Sequence, residues 1–288
     1  MSLPWRRLIP MVAAAFALFC LSPSVGAAEF NPPKHYYLAL GDSLAFGLQF
    51  GKFFSELATG TYDPASFNTG YVDDFAAQMR SIDPGLETVN LGCPGETTGS
   101  FEGVCLFKGF GLPLHTNYSG SQLSAALSFL HEHPGQVGPI TIDIGFNDAA
   151  LPCAGPTFLI DVACLHTTMP AALVTVAQNL PTILSELRQA SPSSEIIVMT
   201  FYNPFYVQDT STDALITSLN EELAGIAVRA HARIADAFGP FNRNGDETST
   251  VCSLTLMCPG LDVHPSDAGY AVIAQQFWTA SGYSRLSS

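Results

Sequence analysis

The chain has 288 residues, 47% of them hydrophobic and 12% charged, with 25 acidic against 11 basic side chains. A net charge of −14 repels phosphate backbones and anionic lipid headgroups, which argues against nucleic acid as a partner. Neutral and zwitterionic ligands stay open.

Arg6 and Arg7 precede an apolar run at residues 8–21, and the small residues "SPSVGAA" follow. Charged flank, short apolar core and small-residue exit read as a secretory signal, with cleavage expected near Ala27 or Ala28. The run is shorter than the roughly 20 residues a membrane span needs, and no later segment reaches that length, so no integral membrane segment is expected. Cys20 follows Phe19, where a lipoprotein site wants a small residue, and lipid anchoring is set aside. Residues 1–28 are therefore expected to be removed and residues 29–288 to form one secreted or periplasmic domain, a monomer. Losing the two arginines takes the charge from −14 to −16.

Six cysteines remain, in neighbouring pairs along the chain: Cys93 with Cys105, Cys153 with Cys164, Cys252 with Cys258. An even count in an exported chain favours disulfides; six cysteines allow fifteen pairings, of which neighbour pairing is the expectation. Each such bridge closes a short loop and typically adds about 2–4 kcal/mol. No C-x-x-C pair occurs, so a zinc site is not expected.

In chain order, "HYYLAL" (35–40), "ETVNL" (87–91), "ITIDI" (140–144), "EIIVMTF" (195–201) and "ARIADA" (232–237) are short, rich in β-branched or aromatic residues, and read as five strands. Between and after them, segments 71–82, 121–133, 169–190, 212–232 and 266–280 carry apolar residues at helical spacing. Pro181 is expected to kink or divide the third helix, and Ser266 to cap the last. Alternation of this kind implies a three-layer α/β/α sandwich on a mostly parallel sheet, its site beyond the carboxyl ends of the strands. Long connections at 45–70, 92–120 and 149–168 read as loops that elaborate that edge.

Four stretches lie at that edge: "GDSLAFG" after the first strand, "NLGCPGETT" after the second, "GFND" after the third, and "DVHPSDAGY" before the last helix. In this order, over residues 36 to about 278, they resemble the blocks of the SGNH, or GDSL-type, lipase and esterase family. "GDS" alone would be ordinary turn chemistry, and so would "GFND"; four ordered blocks are much more specific. The absence of a second glycine at Ala45, which a G-x-S-x-G elbow would need, favours the flavodoxin-like relative of the α/β-hydrolases.

The resemblance implies a serine ester hydrolase with no metal and no cofactor, Ser43 as nucleophile and His264 as its base. A hydroxyl is a poor nucleophile until a base takes its proton, and imidazole titrates in the useful range. It further implies an oxyanion hole from the backbone N–H groups of Ser43 and Gly92 and the amide of Asn147. Asp42 and Asp148 are expected to be structural. One block departs from the pattern: the family's acid usually stands three residues before the histidine, where this chain has Leu261. Asp262, two residues before His264, or a backbone carbonyl, would orient the imidazole instead.

Phe46, Phe50, Phe53 and Phe54 follow the nucleophile, all four in a nine-residue span. At least half are expected in the core, and the rest in an acyl groove, which favours lipid or other apolar acyl esters as substrate. Carbohydrate deacetylation and acyl transfer use the same blocks, and a catalytically silent lipid- or sugar-binding module is the rival from another class. "HEH" at 131–133 reads as surface, "FNRNGDETS" at 241–249 as a turn, and "NYS" at 117–119 as a sequon usable only in a glycosylating host.

Overall fold

The computed structural model describes residues 30–286; the expected leader, its cleavage point and Cys20 lie outside them. The five strands are β1 (Tyr36–Gly41), β2 (Glu87–Asn90), β3 (Val137–Asp143), β4 (Ile196–Thr200) and β5 (Arg233–Asp236). They form one parallel sheet in the order β2-β1-β3-β4-β5, with Leu38 paired to Val89 on one side and to Ile140 on the other. β3 and β4 are buried along their whole length and β1 nearly so, while the edge strands β2 and β5 keep exposed positions. That is why the central strands read as unbroken apolar runs: helices cover both faces of a parallel sheet. Each fully buried Leu, Ile or Val there contributes about 1.5–3 kcal/mol.

In chain order the helices are α1 (Ser43–Phe46), α2 (Phe50–Thr59), α3 (Tyr71–Arg80), α4 (Leu106–Gly109), α5 (Gln122–Glu132), α6 (Phe146–Ala150), α7 (Val162–Ala190), α8 (Thr212–Arg229), α9 (Phe238–Asn242), α10 (Glu247–Leu254), α11 (Met257–Gly260) and α12 (Asp267–Ser281). α3 packs beside α12, and α5, α7 and α8 pack in a row, giving the two helical layers. Aromatic contacts key the first layer to the sheet: Tyr37 of β1 meets the edge of Phe75 of α3, and Tyr71 stacks on Phe277 of α12 at 4.7 Å.

Three expectations need correction. The connection at 45–70 is not a loop throughout, because α2 occupies its middle. The helix expected from residue 169 begins at Val162, capped by Asp161, and runs through both Pro170 and Pro181 without dividing. Its buried stripe, including Leu180, Ile183, Leu184 and Leu187, outweighs the roughly 3 kcal/mol an internal proline costs. The turn at 241–249 shrinks to 243–246, between α9 and α10. Ser266 does cap α12, accepting the Gly269 N–H at 3.3 Å.

The cysteines pair as neighbours, with Cα–Cα distances of 6.3 Å for Cys93–Cys105, 5.6 Å for Cys153–Cys164 and 5.1 Å for Cys252–Cys258. Among the described residues, no helix is long and apolar enough to cross a membrane.

Candidate active site

β1 ends at Gly41 with φ +137°, and a Cβ there would lie 2.3 Å from Asp143 Oδ1, so only glycine lets the chain leave the sheet this close to β3. Gln122 of α5 clamps this residue from both sides, accepting its N–H at 2.7 Å and donating to its carbonyl at 2.9 Å. Asp42 then caps α1 by accepting the Leu44 N–H at 2.9 Å, which leaves Ser43 as the first helical residue beyond the strand.

The opposite wall is built by residues 254–266. The Leu256 N–H donates to the His264 carbonyl at 2.9 Å, Leu261 adopts the left-handed conformation at φ +54°, and Tyr202 donates to the Val263 carbonyl at 2.7 Å. This places His264 Nε2 2.9 Å from Ser43 Oγ, across 221 residues of sequence. His264 Nδ1 lies 2.6 Å from Asp262 Oδ1, so the acid two residues upstream does reach the ring. Asp262 Oδ1 also accepts the His264 N–H, at 3.1 Å, and its Oδ2 accepts the Phe50 N–H at 2.7 Å. His264 and Asp262 are buried, at 3% and 4% exposure.

Burial pushes Asp262 up, but the His264 charge, with hydrogen bonds from His264 and Phe50, outweighs it and holds the carboxyl below its ordinary value. A carboxylate on Nδ1 fixes the proton there and leaves the Nε2 lone pair facing the serine hydroxyl. The pair can therefore take a proton from Ser43 Oγ and later return it.

Asn147, on α6 just after β3, has its Nδ2 3.1 Å from Asp42 Oδ2 and 2.9 Å from the Glu96 carbonyl. Asp148 turns away to bind Thr98, at 2.6 Å to Oγ1 and 2.9 Å to N–H, and Asp42 caps α1; both have the structural bonds expected of them.

Gly92 departs from expectation. Its N–H is spent on Asn90 Oδ1 at 2.9 Å, a Cβ there would meet Ala45 at 2.7 Å, and it does not line the cavity beside Ser43. Gly95, three residues on, does line it, beside Ser43 and Asn147. Gly95 adopts φ +77°, and among the described residues its N–H has no hydrogen-bond partner. The sequence signal was the Pro94–Gly95 pair, turn chemistry in which glycine supplies the positive φ.

Two buried carboxyl groups behind the site were also missed. Asp143 accepts the N–H groups of Asp42 (3.1 Å) and Ala45 (3.4 Å) and the Tyr71 hydroxyl (2.6 Å), so it brackets the serine turn. Burial, and then the charge of Asp42, raise Asp143 well above the carboxylate range, favouring one charge rather than two on this pair. Glu96 accepts from Ser100 at 2.5 Å and from Gln122 at 2.9 Å, and burial lifts it to about 7.

The cavity at Ser43 encloses about 790 Å³, counting its open mouth. Leu48, Phe50, Phe53, Phe107, Phe146, Phe158, Ile160 and Phe201 dominate its walls. Of the four phenylalanines after the nucleophile, Phe50 and Phe53 line the cavity, Phe46 is core and Phe54 is exposed.

Several solved structures share this fold. A lipase from a goat rumen metagenome is 20% identical, with a TM-score of 0.57 over 87% of this chain and 99% of its own. An extracellular lipase from Streptomyces rimosus is 18% identical, with a TM-score of 0.56 over 85% and 99%. An acetylxylan esterase from Geobacillus stearothermophilus is 19% identical, with a TM-score of 0.54 over 88% and 97%. No curated protein matches the sequence significantly. Residues 39–272 match the GDSL-like Lipase/Acylhydrolase family, and with four of its blocks at one sheet edge the chain belongs to that family of ester hydrolases.

Proposed function

We propose that the protein is an exported serine esterase or lipase that hydrolyses apolar acyl esters. The observation that carries this is the line from Ser43 Oγ to His264 Nε2 at 2.9 Å and from His264 Nδ1 to Asp262 Oδ1 at 2.6 Å, opening into a cavity walled by aromatic and aliphatic side chains.

In this reading, Ser43 Oγ bonds to the ester carbonyl carbon as its proton passes to Nε2. The carbonyl π pair moves to oxygen, then returns as the C–O bond to the alcohol breaks, and the alcohol leaves with the proton from Nε2. Water repeats the sequence and releases the acid from Ser43. Asp262 holds the ring in the productive tautomer and balances the imidazolium. The oxyanion is received by the N–H of Ser43, the N–H of Gly95 in place of Gly92, and the Asn147 amide, which would turn its longer bond, to Asp42, toward it. Three cysteine pairs support an oxidising compartment.

A panel of p-nitrophenyl esters from acetyl to palmitoyl tests the reading, with acetylated xylan beside it. The expected result is greatest kcat/KM at medium or long chains, lost in Ser43→Ala. A preference for acetylated sugar would defeat the apolar-ester half.

A further inference from the structure

Among the described residues nine large apolar side chains are exposed, and six stand next to segments that line the cavity: Phe54, Leu57, Val104, Phe110, Leu159 and Leu261, at 41–61% exposure. Phe54 and Leu57 share one side of α2, whose Phe50 and Phe53 line the wall. Leu159 sits between the lining residues Phe158 and Ile160, and Val104 and Phe110 bracket Leu106 and Phe107. Leu261 immediately precedes Asp262. Scattered exposed apolar residues are ordinary, but a set adjoining the wall segments of one cavity is a surface made to be covered.

The loop that carries Leu159 is held in place. Cys153 and Cys164 close it, an antiparallel bridge joins Ala154 to Ile160, and the Gly155 N–H donates to the Leu159 carbonyl at 2.9 Å. Phe158 sits within it at φ +59°, a conformation that costs a bulky residue about 1–2 kcal/mol. In return its ring lies 6.1 Å from Phe50 and 6.5 Å from Phe54, joining loop and helix into one apolar lip.

Charge selects the occupant. The lysines of the wall helices, Lys52 on α2 and Lys108 on α4, are turned onto the carbonyls of Ser66 and Gly120, and the chain as a whole is strongly acidic. An anionic lipid surface would meet repulsion without an available ammonium. The cavity beneath takes an apolar chain, so the phase seated on the lip is the one that supplies such chains.

We infer that this rim is an interfacial docking surface for droplets of an uncharged lipid ester, which places the mouth of the cavity directly on the substrate phase. The inference rests on the apolar-ester reading, but docking and hydrolysis separate in the test. Ser43→Ala in its exported form, freed of residues 1–28, is mixed with a trioleoylglycerol emulsion and the droplets are floated. Ser43→Ala should float with them, and adding Leu57→Gln, Phe110→Gln and Leu159→Gln should lower its partition at least about tenfold, since each polar replacement removes insertable apolar area.

On the Ser43 background, the same triple substitution should hydrolyse soluble p-nitrophenyl butyrate at the parental rate. Val174→Gln with Val228→Gln, exposed on α7 and α8 away from the opening, should leave partition unchanged. Equal partition of the triple variant, an equal loss with the α7 and α8 pair, or a preference for phosphatidylglycerol vesicles would overturn the inference. So would a dimer that the triple substitution dissociates while neither form floats. Droplet binding by Ser43→Ala, beside a parental protein that cleaves no ester, would keep the docking surface and sink the proposed function.

Discussion

Phe50 and Asp262 meet across 212 residues of sequence: the Phe50 N–H donates to Asp262 Oδ2 at 2.7 Å, while the other carboxylate oxygen faces His264. The contact joins the first turn of α2 to the loop before α12. It turns a carboxylate at an unusual spacing toward the imidazole, and Phe50 adds an edge-on ring contact to His264 at 4.7 Å.

Asp262→Asn should therefore lower kcat by on the order of 1,000- to 10,000-fold, with KM little changed, because an amide no longer favours the Nδ1 proton. Steady-state kinetics on a soluble ester check this. Asp262 is held below its ordinary value in the folded state, so its contribution to stability is present above the unfolded carboxylate range and is lost as pH falls through the folded value. Urea unfolding of parent and variant should show a stability difference at neutral pH that closes in acid.

Glu96 has the opposite sign. Burial lifts it from 4.5 to about 7, so the folded chain binds a proton that the unfolded chain has released. Between about pH 4.5 and 7 the parental protein should lose stability as pH rises, by on the order of 3 kcal/mol. Glu96→Gln can still accept from Gln122 and donate to Ser100, and should flatten that slope. Urea unfolding at pH 5 and pH 8 measures it; an equal slope in the variant would refute the assignment.

Asn147→Ala should reduce kcat about 100- to 1000-fold with a smaller effect on KM, the loss expected when one oxyanion donor is removed. Single-turnover acylation, followed as alcohol release, isolates the affected step. An unchanged acylation rate would remove Asn147 from the oxyanion hole.

Ala154 lines the cavity in the disulfide-closed loop and is partly exposed, so a larger side chain there narrows the acyl channel without entering the core. Ala154→Phe should lower kcat/KM for a palmitoyl ester at least about tenfold relative to the butyryl ester, in line with the free energy of a few buried methylenes.

The central strands, the major helices and the four site blocks were legible because each rests on a local pattern: apolar runs, helical spacing, or polar residues at strand ends. α2 was not, since Gln49 offers no side-chain cap and the segment reads as a string of phenylalanines and glycines. Gly92 was read as the donor and Gly95 was passed over: two glycines lie three residues apart in one block, and the fold shows that the Gly92 N–H is already engaged. Asp143 and Glu96 escaped notice because a buried carboxyl depends on partners far along the chain, Tyr71 and Gln122. Neighbour pairing of the cysteines was an expectation among fifteen pairings that the sequence alone could not choose between, and the fold brings those neighbours together.

The most direct measurement treats the folded protein with a fluorophosphonate and maps the adduct by peptide mass spectrometry. The account predicts one adduct, on the peptide containing Ser43, forming at a rate that collapses in His264→Ala. An adduct on a different serine, or ester hydrolysis that persists in Ser43→Ala, would contradict it.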